Sequence, residues 1–235
     1  MAATQPREFR QPRFTPRPGS CEILLLRHGE SAPHREGDSV PLLDKQGDPP
    51  LAPEGVQQAE RAAERLISTG EFIAAVYVTT LQRTRQTAAP LVKRLGLTPI
   101  VEADLREVFL GDWEGGEFRQ RVADNDPVAE QMRSDQRWDV IPGAEPAADF
   151  SARVQRGIER ITANHPDELV VAVVHGGVIG EVMARATGST AFALGGADNA
   201  SISHLVVDGQ RWIVRCFNDT SHLSPRFSTA PEPLI

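Results

Sequence analysis

Two kinds of apolar pattern alternate along this chain. Short continuous runs, Ile23 to Leu26 and Leu169 to Val174, end close to a His-Gly step, while longer stretches repeat apolar residues at helical spacing. A short unbroken apolar run reads as a strand buried on both faces, as in a parallel sheet. In residues 53–68, Pro53-Glu54-Gly55 opens a predicted helix whose face carries Val56, Ala59, Ala63, Leu66 and Ile67, with Gly70 as its left-handed stop. Residues 72–78 are β-rich, 80–95 form the next predicted helix up to Gly96, and 98–102 form a further short strand. Phe150, Val154, Ile158 and Ile161 mark a helix over 147–164, and 178–187 returns to helical spacing. Residues 202–207 and 211–217 predict a hairpin around a two-residue turn at Asp208-Gly209. Strand and helix alternate, so the expected fold class is α/β: three layers, with a mostly parallel central sheet flanked by helices.

Two stretches break the alternation. Residues 32–50 are polar and punctuated by Pro and Gly, and predict a loop lying over the site. Residues 115–146 are irregular and charged, with Arg133, Arg137 and Trp138, and predict a small helical cap insertion. The expected organisation is a flexible N-terminal arm over 1–20, rich in Pro, Gln and Arg, one domain over 21–220, and a C-terminal tail over 221–235. There is no internal repeat and no heptad pattern.

With 40% hydrophobic and 24% charged residues in 235, the chain has the make-up of an ordinary globular domain. A formal charge of -7 argues against sequence-independent nucleic-acid binding, which needs clustered Lys and Arg. An anionic substrate would need a local basic pocket. The two cysteines, Cys21 and Cys216, suggest neither a disulfide framework nor a thiolate zinc site. No apolar run approaches the ~18 residues of a membrane span, and the N-terminus lacks a secretory signal's apolar core. A cytoplasmic protein without a membrane partner is expected.

The candidate chemistry begins at Arg27-His28-Gly29-Glu30-Ser31, where an imidazole and a guanidinium suited to phosphate follow the first buried run. Gly29 suggests close approach of a ligand to the backbone. Val173-Val174-His175-Gly176-Gly177 repeats this setting, with the next helix's amides able to face an anion. This chain resembles the histidine phosphatase superfamily, also called phosphoglycerate mutase-like, from about residue 22 to 217. The likeness is carried by Arg27-His28-Gly29-Glu30, by Thr80-Leu81-Gln82-Arg83-Thr84-Arg85-Gln86-Thr87-Ala88, by Leu105-Arg106-Glu107 through Trp113-Glu114-Gly115, and by His175. Pro50 to Ala59 and Asn199 to Ser203 are weaker matches.

The resemblance implies His28 as nucleophile, Glu107 as general acid, and Arg27, Arg83 and His175 as the phosphate clamp. It implies a phosphohistidine intermediate, a small phosphorylated substrate, and neither metal nor cofactor. Arg85 falls on another helical face and reads as a surface charge. His34 stands where the family often has Asn, and Gly143-Ala144-Glu145-Pro146 where Gly-Gly-Glu-Ser is common. Substrate contacts are therefore expected from His34, Arg133 and Trp138. Two rival readings stay open: a cofactor-dependent phosphoglycerate mutase, and a non-catalytic phospho-ligand binding module. Leu105-Arg106-Glu107-Val108 favours the phosphatase, because mutases of the family typically carry Leu-Asn-Glu-Arg. The substrate and the oligomeric state are left open, a homodimer being one option.

Overall fold

A computed structural model describes residues 8–224 and Arg226. Expectations for residues 1–7, 225 and 227–235 lie outside that range. In chain order the elements begin with β1 (Cys21–Arg27), β2 (Leu42–Leu43), β3 (Gln46–Gly47), α1 (Pro53–Ser68), β4 (Ile73–Val78), α2 (Gln82–Leu95) and β5 (Ile100–Val101). They continue with α3 (Glu117–Ala123), α4 (Pro127–Asp135), α5 (Ala147–Asn164), β6 (Leu169–Val174), α6 (Gly176–Thr187), β7 (Ile202–Asp208) and β8 (Arg211–Asp219).

The main sheet has the order β5-β4-β6-β1-β7-β8. Pairing is parallel from β5 to β1, and β7 and β8 add an antiparallel edge. The sheet is thus mixed and mostly parallel, as the buried Val- and Leu-rich runs predict. Successive β1 side chains enter opposite layers. Ile23 and Leu25 pack with Phe150, Val154 and Ile158 of α5 and Val178 and Val182 of α6, whereas Leu24 and Leu26 pack with Ala62, Leu66 and Leu91 from α1 and α2. These are the three layers. Leu25 and Ile158 are fully buried, and truncating either to Ala should cost about 2–5 kcal/mol.

Element ends follow local chemistry. Pro53 occupies the first turn of α1, where its missing N–H is harmless, and Gly96 and Gly188 end α2 and α6 in the left-handed region. Several boundaries differ from the sequence expectation by a residue or two, among them the start of α2 at Gln82 and both ends of β5, and three differences have a local physical reason. Residues 32–50 contain the small β2–β3 hairpin, turned by Asp44 and Lys45 at positive φ, because strands of two residues carry no readable alternation. Helix α6 starts at Gly176, two residues before its first apolar position, since the N-terminal glycines face the site. The β7–β8 turn is Gly209-Gln210, because Asp208 pairs with Arg211 and Gly209 supplies the positive φ.

Segment 115–146 carries α3 and α4 and shares an apolar cluster with Trp113 and Phe192 from outside it, in which Trp113, Ala129, Met132 and Ile141 are buried among Phe118, Trp138 and Phe192. In the described part of the N-terminal arm, Phe14 lies under the Arg215 guanidinium and Arg17 pairs with Asp208. No helix among the described residues is long and apolar enough to cross a membrane.

Candidate active site

The parallel register of β1 and β6 brings their carboxyl ends together, Arg27 opposite Val174, and the following residues are His28 and His175. Their rings meet edge to face, with centroids 5.2 Å apart. The backbone at His28 is fixed on both sides. Its N–H donates to Val174 O, and its carbonyl accepts from Asn199 Nδ2 and Ala200 N.

Neighbours of the His28 ring fix its tautomer. Nδ1 lies 2.7 Å from Gly29 O, which can only accept, so Nδ1 carries the proton. Arg83 Nε, which can only donate, lies 3.2 Å from Nε2, so Nε2 presents a lone pair. Burial, and then the charges of Arg83 and Arg27, hold the His28 pKa well below the ordinary histidine value. The ring is neutral at neutral pH, with a nucleophilic nitrogen between cations.

His175 is fully buried and also held well below the ordinary value, first by burial and then by Arg83. Its Nε2 engages Thr79 Oγ1 at 2.9 Å, while Nδ1 is buried with no protein partner. Arg27 donates from Nη1 to Ala197 O, and its Nε is likewise buried and unpaired. Arg27 Nε can only donate, and a buried donor without an acceptor is costly, so an anionic oxygen beside it would relieve that cost. Arg83, nearly buried at the start of α2, donates from Nη1 to Gly47 O.

Glu107 sits at the amino end of α6. Its Oε2 accepts from Gly177 N at 3.2 Å and its Oε1 from Val108 N at 3.0 Å, so the helix N-terminus holds the carboxylate. A Cβ on Gly177 would come within 2.5 Å of Oε1. Gln46 and Arg153 both donate to the Glu107 carbonyl, tying it to β3 and α5. Arg153 is held by Glu145, the acidic residue of Gly143-Ala144-Glu145-Pro146. Glu114 is a second carboxyl near Arg83. It accepts from Gly47 N and Leu110 N, and burial pushes its pKa up.

Five residues singled out from sequence, Arg27, His28, Arg83, Glu107 and His175, therefore converge, and Arg85 is exposed as expected. The substrate-contact candidates behave differently. His34 packs its ring on the Gly116 backbone, where a Cβ would lie 2.4 Å away. Trp138 packs between Phe118 and Phe192 in the cap cluster. Arg133 is exposed on α4, and its side chain forms no hydrogen bond or ion pair among the described residues. Gly29 is required for a reason other than ligand approach: a Cβ there would meet Gly55 O at 2.4 Å, so the loop packs directly on the start of α1.

Sequence reasoning missed Thr79, Gln46, Asn199 and Arg119. Thr79, Gln46 and Asn199 act through residues distant in the chain; Asn199 lay in a weaker family match and Gln46 in the loop over 32–50, but neither was named. Arg119 of α3 donates to Ser31 Oγ at 2.7 Å and to Ala32 O at 2.8 Å, in the loop that follows His28.

A doubly wound sheet with paired imidazoles and guanidiniums at the carboxyl ends of its central strands is the architecture of an α/β enzyme that handles an anionic group. Residues 23–220 match the histidine phosphatase superfamily (branch 1), and the chain belongs to that family; it is an enzyme of the phosphatase type. It is 35% identical over 207 residues to phosphoglycerate mutase-like protein 4 of Arabidopsis thaliana, covering 86% of this chain and 87% of that protein. It is 32% identical to the metal-independent phosphoserine phosphatase of the same plant, covering 86% and 83%. The solved structure of mycobacterial glucosyl-3-phosphoglycerate phosphatase superposes with a TM-score of 0.70 at 30% identity, covering 86% of this chain and all of that one.

Proposed function

We propose that this chain is a cytoplasmic, metal-independent phosphatase of small phosphomonoesters that works through a phosphohistidine at His28 Nε2. The observation that carries the reading is the His28 tautomer: Nδ1–H is committed to Gly29 O, and Nε2 offers its lone pair beside Arg83. Arg27 and Arg83 hold the phosphoryl oxygens, and His175 adds its buried Nδ1 donor as negative charge builds on them. Nε2 forms its bond to phosphorus as the ester P–O bond breaks, and Glu107 gives its proton to the departing oxygen. The Glu107 carboxylate then takes a proton from water, which attacks phosphorus, breaks the P–N bond and releases inorganic phosphate.

The chain's phosphatase-named relatives support hydrolysis, and the phosphoserine and glucosyl-3-phosphoglycerate of their names are both small phosphate esters. Two imidazoles flanked by guanidiniums form a poor cation site, which supports metal independence. The test is rapid alkaline quenching during turnover of a 32P-labelled ester. Acid-labile label on His28 is expected, with phosphate released at the same rate in chelator. Label on Ser31 or Asp112 would overturn the mechanism, and isomerised phosphoglycerate without phosphate release would favour a mutase.

A further inference from the structure

Arg119 is a charged group that the phosphoryl chemistry leaves unused. Helix α3 carries its guanidinium to the loop just past His28, where the two acceptors it meets, Ser31 Oγ and Ala32 O, are both neutral. Apart from Arg133, which is exposed on α4, other arginines in and around the cap are paired with carboxylates: Arg121 with Glu117 and Asp126, Arg137 with Asp139, Arg153 with Glu145. Among the described residues Arg119 has no ion pair; Glu30 is the carboxylate whose field reaches it. The group is half-buried, and burial lowers its pKa, the mark of a cation kept where water serves it poorly.

Its position matters as much as its charge. The Arg119 field reaches Arg27, His28 and Arg83 and disfavours a proton on each, so the guanidinium belongs to the same electrostatic site. Arg27 and Arg83 already match the two charges of a phosphate dianion. A third cation beside them is repelled, and neutral hydrogen bonds only partly offset that repulsion. Three of its five N–H donors are uncommitted, and a guanidinium fork fits a carboxylate.

We propose that Arg119 is a specificity-determining residue that selects phosphate esters whose leaving group carries a carboxylate. This rests on the phosphatase reading of the His28 site and narrows its substrate class. The substrate would span the site, its phosphoryl group on Arg27 and Arg83 and its carboxylate on Arg119.

The test compares 3-phosphoglycerate with glycerol 3-phosphate, a pair that differs by a carboxylate in place of a hydroxymethyl group. Phosphate release gives kcat/KM for each with the unaltered chain, Arg119→Met and Arg119→Lys. Arg119→Met should reduce the ratio of the two efficiencies about ten- to a hundredfold, through a higher KM for 3-phosphoglycerate. Arg119→Lys should keep much of the ratio, and Arg119→Gln supplies the neutral side chain if the Met variant does not fold. A ratio within about twofold of the unaltered chain's in a folded neutral variant overturns the assignment, while continued hydrolysis of glycerol 3-phosphate leaves the phosphatase reading standing. No phosphate release from either ester by the unaltered chain overturns both.

Discussion

The ends of β1 and β6 are adjacent and parallel, and each delivers a buried histidine to the same cluster, yet their surroundings give the two rings different capacities. At the end of β1, a carbonyl takes the Nδ1 proton of His28 and Nε2 faces a guanidinium. At the end of β6, Nε2 of His175 is engaged by Thr79, and the unpaired atom is Nδ1. On the proposed mechanism one ring attacks and the other binds. The backbone setting that makes both sites is nearly the same, so the roles come from what packs around each ring.

Exchange of either histidine should separate those roles. His28→Ala is expected to cost on the order of a thousandfold or more in phosphoryl transfer, with no phosphoenzyme formed. His175→Ala should cost about 10²–10³-fold, the worth of one donor to the developing charge, while a trace of labelled His28 still accumulates. Single-turnover labelling distinguishes them; equal and complete loss of label would refute the division.

Glu107 extends the comparison to the start of α6. Glu107→Gln should slow phosphoenzyme formation from an alkyl ester by about 10²–10⁴-fold and from a nitrophenyl ester far less, because the better leaving group needs little protonation. Gly177→Ala leaves the carboxylate chemically intact but forces it away from its N–H partner, and about a ten- to hundredfold loss on the alkyl ester is expected. A Gly177→Ala enzyme of normal rate on that ester would show that the amino end of α6 does not position the acid.

Both imidazoles also affect folding. Each has a native pKa well below its unfolded value near 6.5, so the unfolded chain binds more protons as pH falls below that value. Their contribution is full above about pH 6.5 and declines below it toward the native pKa values, by up to about 1.4 kcal/mol per pH unit for each ring. Denaturant unfolding between pH 7.5 and 5.5 should show this slope, and His175→Ala should flatten it; an unaltered slope would mean that the ring is not buried neutral. The smallest effect is expected for Thr79→Val, which removes the partner of His175 Nε2 and should cost about 1–3 kcal/mol in stability, with a modest change in rate.

Much of this could be read from the chain before any fold was known. The buried runs ending in His28 and His175 fixed the parallel strands, helical spacing fixed α1, α2 and α5, and motif order selected Arg27, Arg83 and Glu107. Those features are local, because side-chain periodicity follows from the geometry of strand and helix. What tertiary structure decided is pairing across long separations. Arg83 and His28 are 55 residues apart and Asn199 and His28 are 171 apart, and no local pattern records which ring nitrogen such neighbours occupy. The same holds for Gly29, whose need for a bare Cα comes from the Gly55 carbonyl, and for Trp138, whose ring meets Phe118 and Phe192 across the cap. Arg119 is the plainest case: one of two arginines on a seven-residue helix of irregular sequence, it is set apart only when the cap places it against Ser31.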